Sequence, residues 1–276
     1  MPKLKLPRGS CDTHFHVFGP AERFPLATDR TYTPEDRPKE QLLALHKSLG
    51  IERGVVVQSA AHGFDNSAAA DLIASTRGKY VGVAWARPMV GNDELRMLHA
   101  EGFRGVRFNY MEHLGEGSPI GEVVKLSHRL AEFGWHLQIH MDSSLVESLG
   151  NELRKSAVPV VIDHMGRVDA SKGVEQKPFQ VLMRLLDNRN FHVKVSCCER
   201  VSRQGPPYDD AVPFARQLVE RFPQQTLWGT DWPHPNVSPV PDDHLLVDLL
   251  EKIAPSEAQR KTLLVDNPQR FYGFKA

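Results

Sequence analysis

The stretch GVRFNYMEHLGEGSPIGEVVKLSHRLAEFGWHLQIHM, residues 105–141, contains one complete unit of the pattern that decides the fold. An apolar run, GVRFNY, comes first, a helix is predicted over 120–134, and a second apolar run, HLQIHM, follows directly. Apolar runs separated by helical segments are typical of parallel strands, because crossover helices cover both faces of such a sheet. The stretch therefore predicts a strand–helix–strand unit.

The same unit repeats on both sides of this stretch. Strands are predicted at CDTHFHV (11–17), GVVVQSA (54–60), YVGVAWA (80–86), GVRFNY, HLQIHM, PVVIDHM (159–165), FHVKVSC (191–197) and TLWGTDW (226–232). Helices are predicted over 38–50, 66–78, 93–102, 120–134, 144–156, 178–189, 208–222 and 243–254, with a last helical segment over 257–274. Eight units in about 250 residues predict an α/β fold, a single (β/α)8 TIM-barrel domain over residues 1–276. The alternative, a doubly wound open sheet, needs a glycine-rich phosphate loop after the first strand, and CDTHFHVFGP is not such a loop.

Composition narrows the class of protein. The sequence has 34 Lys and Arg against 34 Asp and Glu, so it lacks the concentrated basic charge of proteins that bind nucleic acid or anionic membranes. No apolar run approaches the roughly 20 residues of a membrane-spanning helix, and no secretory signal is recognised. Three cysteines (Cys11, Cys197 and Cys198) cannot form an even disulfide framework, and the last two are neighbours in a predicted strand. We therefore expect a cytoplasmic protein without a nucleic-acid or membrane partner.

Polar residues end at least six of the predicted strands. The active site of such a barrel lies at the carboxyl ends of the strands, so these side chains should share one rim. His14 and His16 end the first strand and, being two residues apart, point to the same face. The others are Arg107 and Asn109 at the fourth strand, His140 at the fifth, His164 at the sixth, Glu199 and Arg200 after the seventh, and Asp231 at the eighth. Such convergence favours a functional site over separate structural roles. By contrast, His46, His99 and His128 fall on predicted helical faces and are expected to be exposed.

These residues resemble a known family. The HxH of strand one, the histidines of strands five and six and the aspartate of strand eight match the amidohydrolase superfamily. The motifs DTHFHVFGP, RTYTP, GVRFN, VVIDHMGR, SCCER and WGTDWPHPN resemble more closely the 2-pyrone-4,6-dicarboxylate hydrolases and their lactonase relatives, which include 4-sulfomuconolactone hydrolases. The likeness extends from Cys11 to Tyr272. It implies a monomeric carboxylic-ester hydrolase that opens a small anionic lactone with water in aromatic-compound catabolism.

The candidate residues suit this chemistry. A carboxylate at the rim can accept a proton from water, and the resemblance gives Asp231 this role of general base. His14, His16 and His164 can polarise the carbonyl group and donate to the oxyanion, although His164 could instead orient the water. Arginine side chains suit a substrate with carboxylate or sulfonate groups, unless each pairs with a local acid such as Asp163 or Glu199. The predicted substrate-binding residues are Arg107, Arg167, Arg200, Tyr32, Asn236 and His62.

The sequence also predicts a metal site. A nitrogen-rich set of side chains would suit one Zn²⁺ ion with an open position for water, and the ion would lower the pKa of that water to about 7. The predicted ligands are His14, His16, His140 and Asp231. The dicarboxylate hydrolases are described as working without metal, and they usually carry Tyr where this sequence has His140. We predict one Zn²⁺, with no cofactor as the alternative, and no second ion because strand four offers Arg107 rather than a bridging ligand.

The sequence predicts the type of reaction more firmly than it predicts the substrate. After GVRFN the dicarboxylate hydrolases typically place a Lys-Arg pair, whereas this sequence has Tyr-Met-Glu-His at 110–113. Losing two cations and gaining an acid should weaken binding of a flat dicarboxylate, so 4-sulfomuconolactone is the second candidate and sugar-acid lactones are the third. The alternatives in function are a lyase (decarboxylase) or isomerase on the same scaffold, and a non-catalytic binding barrel.

Overall fold

Eight parallel strands form the centre of the computed structural model, which describes residues 2–115 and 117–275. The strands pair in the order in which they occur in the chain. They are β1 (Cys11–Phe15), β2 (Arg53–Val57), β3 (Tyr80–Ala84), β4 (Phe103–Tyr110), β5 (His136–Met141), β6 (Val160–Ile162), β7 (Phe191–Lys194) and β8 (Thr226–Leu227). This order is that of a (β/α)8 barrel, and the predicted fold class is confirmed.

Helices lie between the strands and after the last one, and the longer helices bury an apolar face against the barrel. In α6, for example, Phe179, Leu182 and Leu186 are buried at the spacing of one helical face. The helices are α1 (Lys39–Leu49), α2 (Ser67–Ser75), α3 (Asn92–Ala100), α4 (Ile120–Leu130), α5 (Val146–Leu153), α6 (Lys177–Leu186), α7 (Cys198–Val201), α8 (Val212–Arg221), α9 (Asp243–Asp248), α10 (Leu250–Ile253), α11 (Glu257–Lys261) and α12 (Asn267–Tyr272). Within residues 2–115 and 117–275, none of the helices has the length and apolar character needed to cross a membrane.

Two expectations about local structure are wrong. His46 is buried rather than exposed, because it lies on the same face of α1 as Leu42 and Leu49. Its Nδ1 atom is 2.6 Å from the hydroxyl of Tyr80 and its Nε2 atom is 3.2 Å from Oδ2 of Asp12, so the buried ring has partners on both sides. His99 is half-buried, whereas His128 is exposed as expected.

The second correction concerns Cys198, which begins α7 rather than continuing a strand. Strand β7 already ends at Lys194, and Cys197 has a left-handed backbone conformation with φ of 61°. A left-handed residue cannot continue a strand, so the chain turns at Cys197 and the helix begins at the next residue.

The barrel is nearly closed between β1 and the segment that follows β8. Three backbone hydrogen bonds join them: Thr13 N–H to Trp228 O at 2.9 Å, Asp231 N–H to His14 O at 2.8 Å, and His16 N–H to Trp232 O at 2.7 Å. Gly229 permits this approach, since a Cβ atom there would lie 2.5 Å from the backbone nitrogen of His14. Closure therefore brings Asp231 beside the two histidines of the first strand.

Candidate active site

The Oδ1 atom of Asp231 lies at the centre of a buried cluster of histidines. Nε2 atoms of His14 and His16 are each 3.5 Å from this oxygen, and Nε2 of His164 is 3.8 Å from it. All four side chains are almost fully buried. The two histidines of the first strand share a face because Phe15 between them points the other way, to the ring of His46. The structure thus brings together the four residues predicted to be catalytic.

Arg200 holds the other oxygen of Asp231. Its Nε and Nη2 atoms donate to Oδ2 at 2.9 and 2.6 Å, and Nη2 also donates to the carbonyl oxygen of Pro235 at 2.9 Å. Burial alone would raise the pKa of Asp231, but Arg200 and the neighbouring histidines outweigh it and hold the pKa well below its ordinary value. Asp231 is therefore ionised at neutral pH, with Oδ1 directed at the histidines.

The hydrogen bonds of the rings determine which atoms they present. Nδ1 of His16 lies 2.7 Å from the carbonyl oxygen of Val57, which can only accept, so Nδ1 carries the hydrogen. His164 has its Nδ1 atom 2.9 Å from Oγ of Ser196 and 3.0 Å from Sγ of Cys197. Burial lowers the pKa of His164 well below its ordinary value, and the neighbouring His14 lowers it further. The ring of His164 is therefore neutral at neutral pH.

A buried lysine beneath the histidines was missed by the sequence analysis. Lys194 has no exposed surface, and its Nζ atom donates to the carbonyl oxygen of Thr13 at 2.9 Å and to Oε1 of Gln138 at 2.8 Å. Nζ also lies 3.1 Å from Nδ1 of His14. Burial lowers the pKa of Lys194 to about 8, against the opposing effect of the Asp163 carboxylate, so the ammonium form prevails at pH 7. A lysine within the apolar run FHVKVSC was the available signal.

Arg107 is paired with an acid in the same layer. Its Nε atom donates to Oδ2 of Asp163 at 2.9 Å, and Gln138 donates to the same oxygen at 3.2 Å. Burial would raise the pKa of Asp163, but Arg107 and Lys194 lower it to about 2. Arg107 thus pairs through Nε with the local acid Asp163, which is the alternative to substrate binding that the sequence left open.

Arg167 differs from the other two predicted arginines. It is half-buried in a left-handed conformation at the end of the short turn after β6. Within the part of the chain that the structure describes, its guanidinium has no hydrogen bond and no ion pair. Burial lowers the pKa of the Arg167 guanidinium, and the positive charge of Arg200 lowers it further. Arg167 is therefore an unpaired cation beside the cluster.

The remaining predicted contacts lie at different depths. The hydroxyl of Tyr32 is 2.7 Å from Oγ of Ser59, and burial raises the pKa of Tyr32 above its ordinary value. His62 is buried, with Nδ1 3.2 Å from the carbonyl oxygen of Pro25. Asn236 is exposed, and its side chain has no hydrogen bond within residues 2–115 and 117–275. Of these three side chains, His62 is thus the most deeply buried and Asn236 the most exposed.

Several potential metal ligands lie close together, and the distances between them can be compared with those expected around a tetrahedral zinc ion. Ligand atoms of His14, His16 and Asp231 all lie within 4.8 Å of one another. The two separations of 3.5 Å are close to the roughly 3.4 Å expected between tetrahedral ligands at zinc bond lengths. His140 belongs to no such group in the described ranges; its Nδ1 atom is 3.0 Å from Oδ1 of Asn109 and its ring is 5.3 Å from that of His164. Three of the four predicted ligands are therefore brought together.

Asp12 is a second residue that the sequence analysis missed. Its Oδ1 atom accepts hydrogen bonds from the backbone N–H groups of His14 and Thr230, at 2.9 and 3.1 Å. Its Oδ2 atom accepts from the hydroxyl of Thr230 at 2.6 Å and contacts His46. Asp12 therefore fixes the backbone on which His14 and Asp231 are carried. Its place two residues before His14 was the available signal.

Comparisons with known proteins identify the family of the chain. The amidohydrolase family model matches residues 11–274. The chain is 45% identical to a 2-pyrone-4,6-dicarboxylate hydrolase of Comamonas testosteroni, over 98% of this chain and 92% of that protein. It is 40% identical to a 4-sulfomuconolactone hydrolase of Hydrogenophaga intermedia, over 98% of this chain and 91% of that protein.

The crystal structure of a similar protein has the same fold. The crystal structure of a probable 2-pyrone-4,6-dicarboxylic acid hydrolase from Acinetobacter baumannii, with citric acid bound, superimposes with a TM-score of 0.87. The two chains are 25% identical, and the match covers 96% of this chain and 100% of the other. The predicted family is confirmed: the chain belongs to the amidohydrolase family, and the Comamonas and Hydrogenophaga relatives are lactone hydrolases.

Proposed function

We propose that the protein hydrolyses the ring ester of a small anionic lactone, of the 2-pyrone-4,6-dicarboxylate or 4-sulfomuconolactone type, in aromatic-compound catabolism. The observation that carries the proposal is the position of Asp231 Oδ1 among three histidine Nε2 atoms, while Arg200 occupies Oδ2. The relatives at 45% and 40% identity are hydrolases of these two compounds. The citric acid bound to the Acinetobacter protein supports a site for a small carboxylate-bearing molecule.

In the proposed reaction Asp231 is the general base. A water molecule gives a proton to Oδ1 while its oxygen forms a bond to the carbonyl carbon of the lactone. Ring N–H groups of His14 and His164 donate to the oxyanion that develops on the carbonyl oxygen, while His16, whose Nδ1 donates to Val57, lies beside Asp231. The ring C–O bond then breaks, and the leaving oxygen takes the proton back from Asp231. The product is the open-chain acid, which contains one water more than the lactone.

The anionic groups of the substrate need unpaired cations. Arg167 supports this role because its guanidinium has no ion pair among the described residues, whereas Arg107 and Arg200 each have a carboxylate partner. His113 follows β4 on an exposed turn, and burial lowers its pKa, which the positive charge of Arg167 lowers further. We propose that Arg167 binds one carboxylate or sulfonate group and that Tyr32 donates its hydroxyl to the same anion.

The same proposal covers the residues that would hold a Zn²⁺ ion. Zn²⁺ would be held by His14, His16 and Asp231, and when bound it would polarise the carbonyl group and lower the pKa of the attacking water. The ligand spacing supports this site, while the cations Arg200 and Lys194 beside it oppose a further positive charge. Every step above is therefore assigned to the chain's own residues, and we propose that the reaction does not depend on Zn²⁺, which metal analysis tests.

An assay on four lactones tests the proposal. The purified protein would be given 2-pyrone-4,6-dicarboxylate, 4-sulfomuconolactone, a sugar-acid lactone and an uncharged lactone. We expect kcat/KM for one of the first two to exceed that for the uncharged lactone by roughly 10²-fold or more. Release of carbon dioxide would favour a decarboxylase, and a rearranged lactone would favour an isomerase. Failure to open any of the four would contradict the proposal.

The predicted setting of the protein is also a proposal. We propose that residues 1–276 act as one domain and as a monomer in the cytoplasm, without nucleic-acid or membrane partners. The formal net charge of zero supports the absence of nucleic-acid and membrane partners, because it offers no general attraction for polyanions. Sedimentation equilibrium over a range of concentrations tests the monomer, and a mass of two chains at low concentration would contradict it.

A further inference from the structure

Lys194 is a buried ammonium group to which the proposed reaction assigns no part. Its Nζ atom has three neighbours at hydrogen-bond distance: the carbonyl oxygen of Thr13 at 2.9 Å, Oε1 of Gln138 at 2.8 Å and Nδ1 of His14 at 3.1 Å. An ammonium group has three hydrogens and no lone pair, so it can only donate. The three hydrogens of Lys194 therefore match three acceptors, and one of these is a ring nitrogen of the site.

A neighbouring carboxylate offers the competing arrangement for His14. Oδ1 of Asp163 lies 3.4 Å from Nδ1 of His14 and would favour a hydrogen on that nitrogen. Yet this oxygen forms no hydrogen bond within the described residues, whereas Nζ of Lys194 is hydrogen-bonded to the same nitrogen. In a neutral ring, a nitrogen that accepts a hydrogen bond carries no hydrogen, so the ring hydrogen of His14 is on Nε2.

In His16 the ring hydrogen is on the other nitrogen, Nδ1. Its Nδ1 atom donates to the carbonyl oxygen of Val57 at 2.7 Å, which leaves a lone pair on Nε2 of the neutral ring. With a neutral His16 ring, the two rings face Asp231 with unlike atoms, an N–H group from His14 and a lone pair from His16. Nε2 of His14 is buried and has no hydrogen-bond partner within residues 2–115 and 117–275, so its hydrogen is available to a ligand.

We propose that Lys194 is a positioning residue that holds His14 in its Nε2–H form, as a hydrogen-bond donor to the lactone carbonyl oxygen and a poor ligand for a divalent metal. Coordination through Nε2 needs a lone pair there, and the ring hydrogen would have to move to Nδ1, where Lys194 donates. A metal held by both His14 and His16 therefore requires the Lys194–His14 hydrogen bond to break. This inference rests on the proposed function for the role of the site.

Replacing Lys194 should allow His14 to carry its hydrogen on Nδ1 and to bind a metal ion through Nε2. Nδ1 of His14 would then be free to carry the hydrogen and donate to Oδ1 of Asp163, which lies 3.4 Å away. A carboxylate that accepts from one ring nitrogen while the other binds the ion is the usual support of a histidine ligand. The loss of the lysine charge acts in the same direction.

The ring hydrogens can be observed directly in the unaltered protein. A long-range ¹H–¹⁵N spectrum of the purified protein distinguishes a ring nitrogen with a hydrogen from one without, and His14→Gln and His16→Gln identify the signals. We expect the hydrogen on Nε2 of His14 and on Nδ1 of His16. A hydrogen on Nδ1 of His14, or a metal bound at its Nε2, would overturn the proposal. This measurement decides the question even if variants of Lys194 do not fold.

Metal affinity gives an independent test. Co²⁺ titration, followed by its visible absorption, would compare the wild type with Lys194→Met and with Gln138→Met, which removes another polar partner of the same buried layer. We expect Lys194→Met to bind Co²⁺ about 10–100-fold more tightly and Gln138→Met to bind like the wild type. Equal affinity in a folded Lys194→Met protein would overturn the proposal. Because neither test measures turnover, failure of the proposed hydrolysis would be distinguishable from failure of this inference.

Discussion

Arg200 donates two hydrogen bonds to one oxygen of Asp231: its Nε and Nη2 atoms lie 2.9 and 2.6 Å from Oδ2. The other oxygen, Oδ1, is left facing the histidines. The two halves of the carboxylate therefore have separate tasks in the proposed reaction. Oδ2 keeps the group ionised and oriented, and Oδ1 accepts the proton from water.

Replacing Arg200 should shift the pH dependence of the reaction. Burial alone raises the pKa of Asp231, and Arg200 is the largest influence that lowers it, so Arg200→Met should raise this pKa. Since the ionised form is active, the acid limb of kcat/KM should move to higher pH, with a loss of roughly 10²-fold at the pH optimum. Arg200→Lys, which keeps the charge, should shift the limb less. An unmoved acid limb in Arg200→Met would show that Arg200 does not control Asp231.

Replacing Arg167 should weaken substrate binding more than catalysis. Its guanidinium has no ion pair among the described residues, so the expected partner is the anionic group of the lactone. Arg167→Met should raise KM by about 10–100-fold and change kcat by less than about threefold. Arg203→Met is the control, because Arg203 is exposed and pairs with Asp169. Steady-state kinetics of both variants measure the difference, and an unchanged KM in Arg167→Met would remove Arg167 from the substrate site.

Removing the Asp12 carboxylate should destabilise the barrel. Asp12 is fully buried and accepts hydrogen bonds from His14 and Thr230 across the closure of the sheet. Asp12→Leu leaves these buried donors without an acceptor and should lower the free energy of unfolding by about 3 kcal/mol. Urea unfolding followed by circular dichroism measures the change. The exposed Asp93→Leu is the control, and equal midpoints for the two variants would contradict this role of Asp12.

Removal of metal ions should leave the catalytic activity nearly unchanged. Lys194 donates to Nδ1 of His14 and Arg200 occupies Oδ2 of Asp231, so two of the three grouped ligands are engaged by cations. We expect activity after dialysis against a chelator to stay within about twofold of the starting value, because each proton step is assigned to side chains. Metal analysis by mass spectrometry accompanies the assay. Activity that is lost on chelation and restored by one equivalent of Zn²⁺ would contradict this expectation.

The barrel and the rim could be predicted because both follow from periodicity. Alternating strand and helix patterns determine the order of the elements, and residues at strand ends must meet on one face. His14, His16, His164 and Asp231 were identified in this way, and the structure places them around one oxygen. The spacing of Leu42, His46 and Leu49 on one helical face would have identified His46 as buried as well.

Other features of the site depend on depth and pairing, which a sequence pattern does not contain. Lys194 lies in an apolar strand, and nothing in the pattern says that its side chain reaches Nδ1 of His14. Arg107 lies within β4, which continues to Tyr110, and its pairing with Asp163 after β6 depends on how β4, β5 and β6 are offset in the barrel. The turn at Cys197 depends on a positive φ that its residue type does not reveal.

The most direct test of the account is the mass of the product formed by the wild type and by Asp231→Asn. Wild-type protein and the variant would be incubated with the preferred anionic lactone in H₂¹⁸O, and the products would be analysed by mass spectrometry. We predict that the wild type adds one labelled water to the lactone. Asp231→Asn, folded and still able to bind the lactone, should do so about 10³–10⁴-fold more slowly. A product that has lost carbon dioxide, a product of unchanged mass, or an Asp231→Asn protein as fast as the wild type would contradict the account.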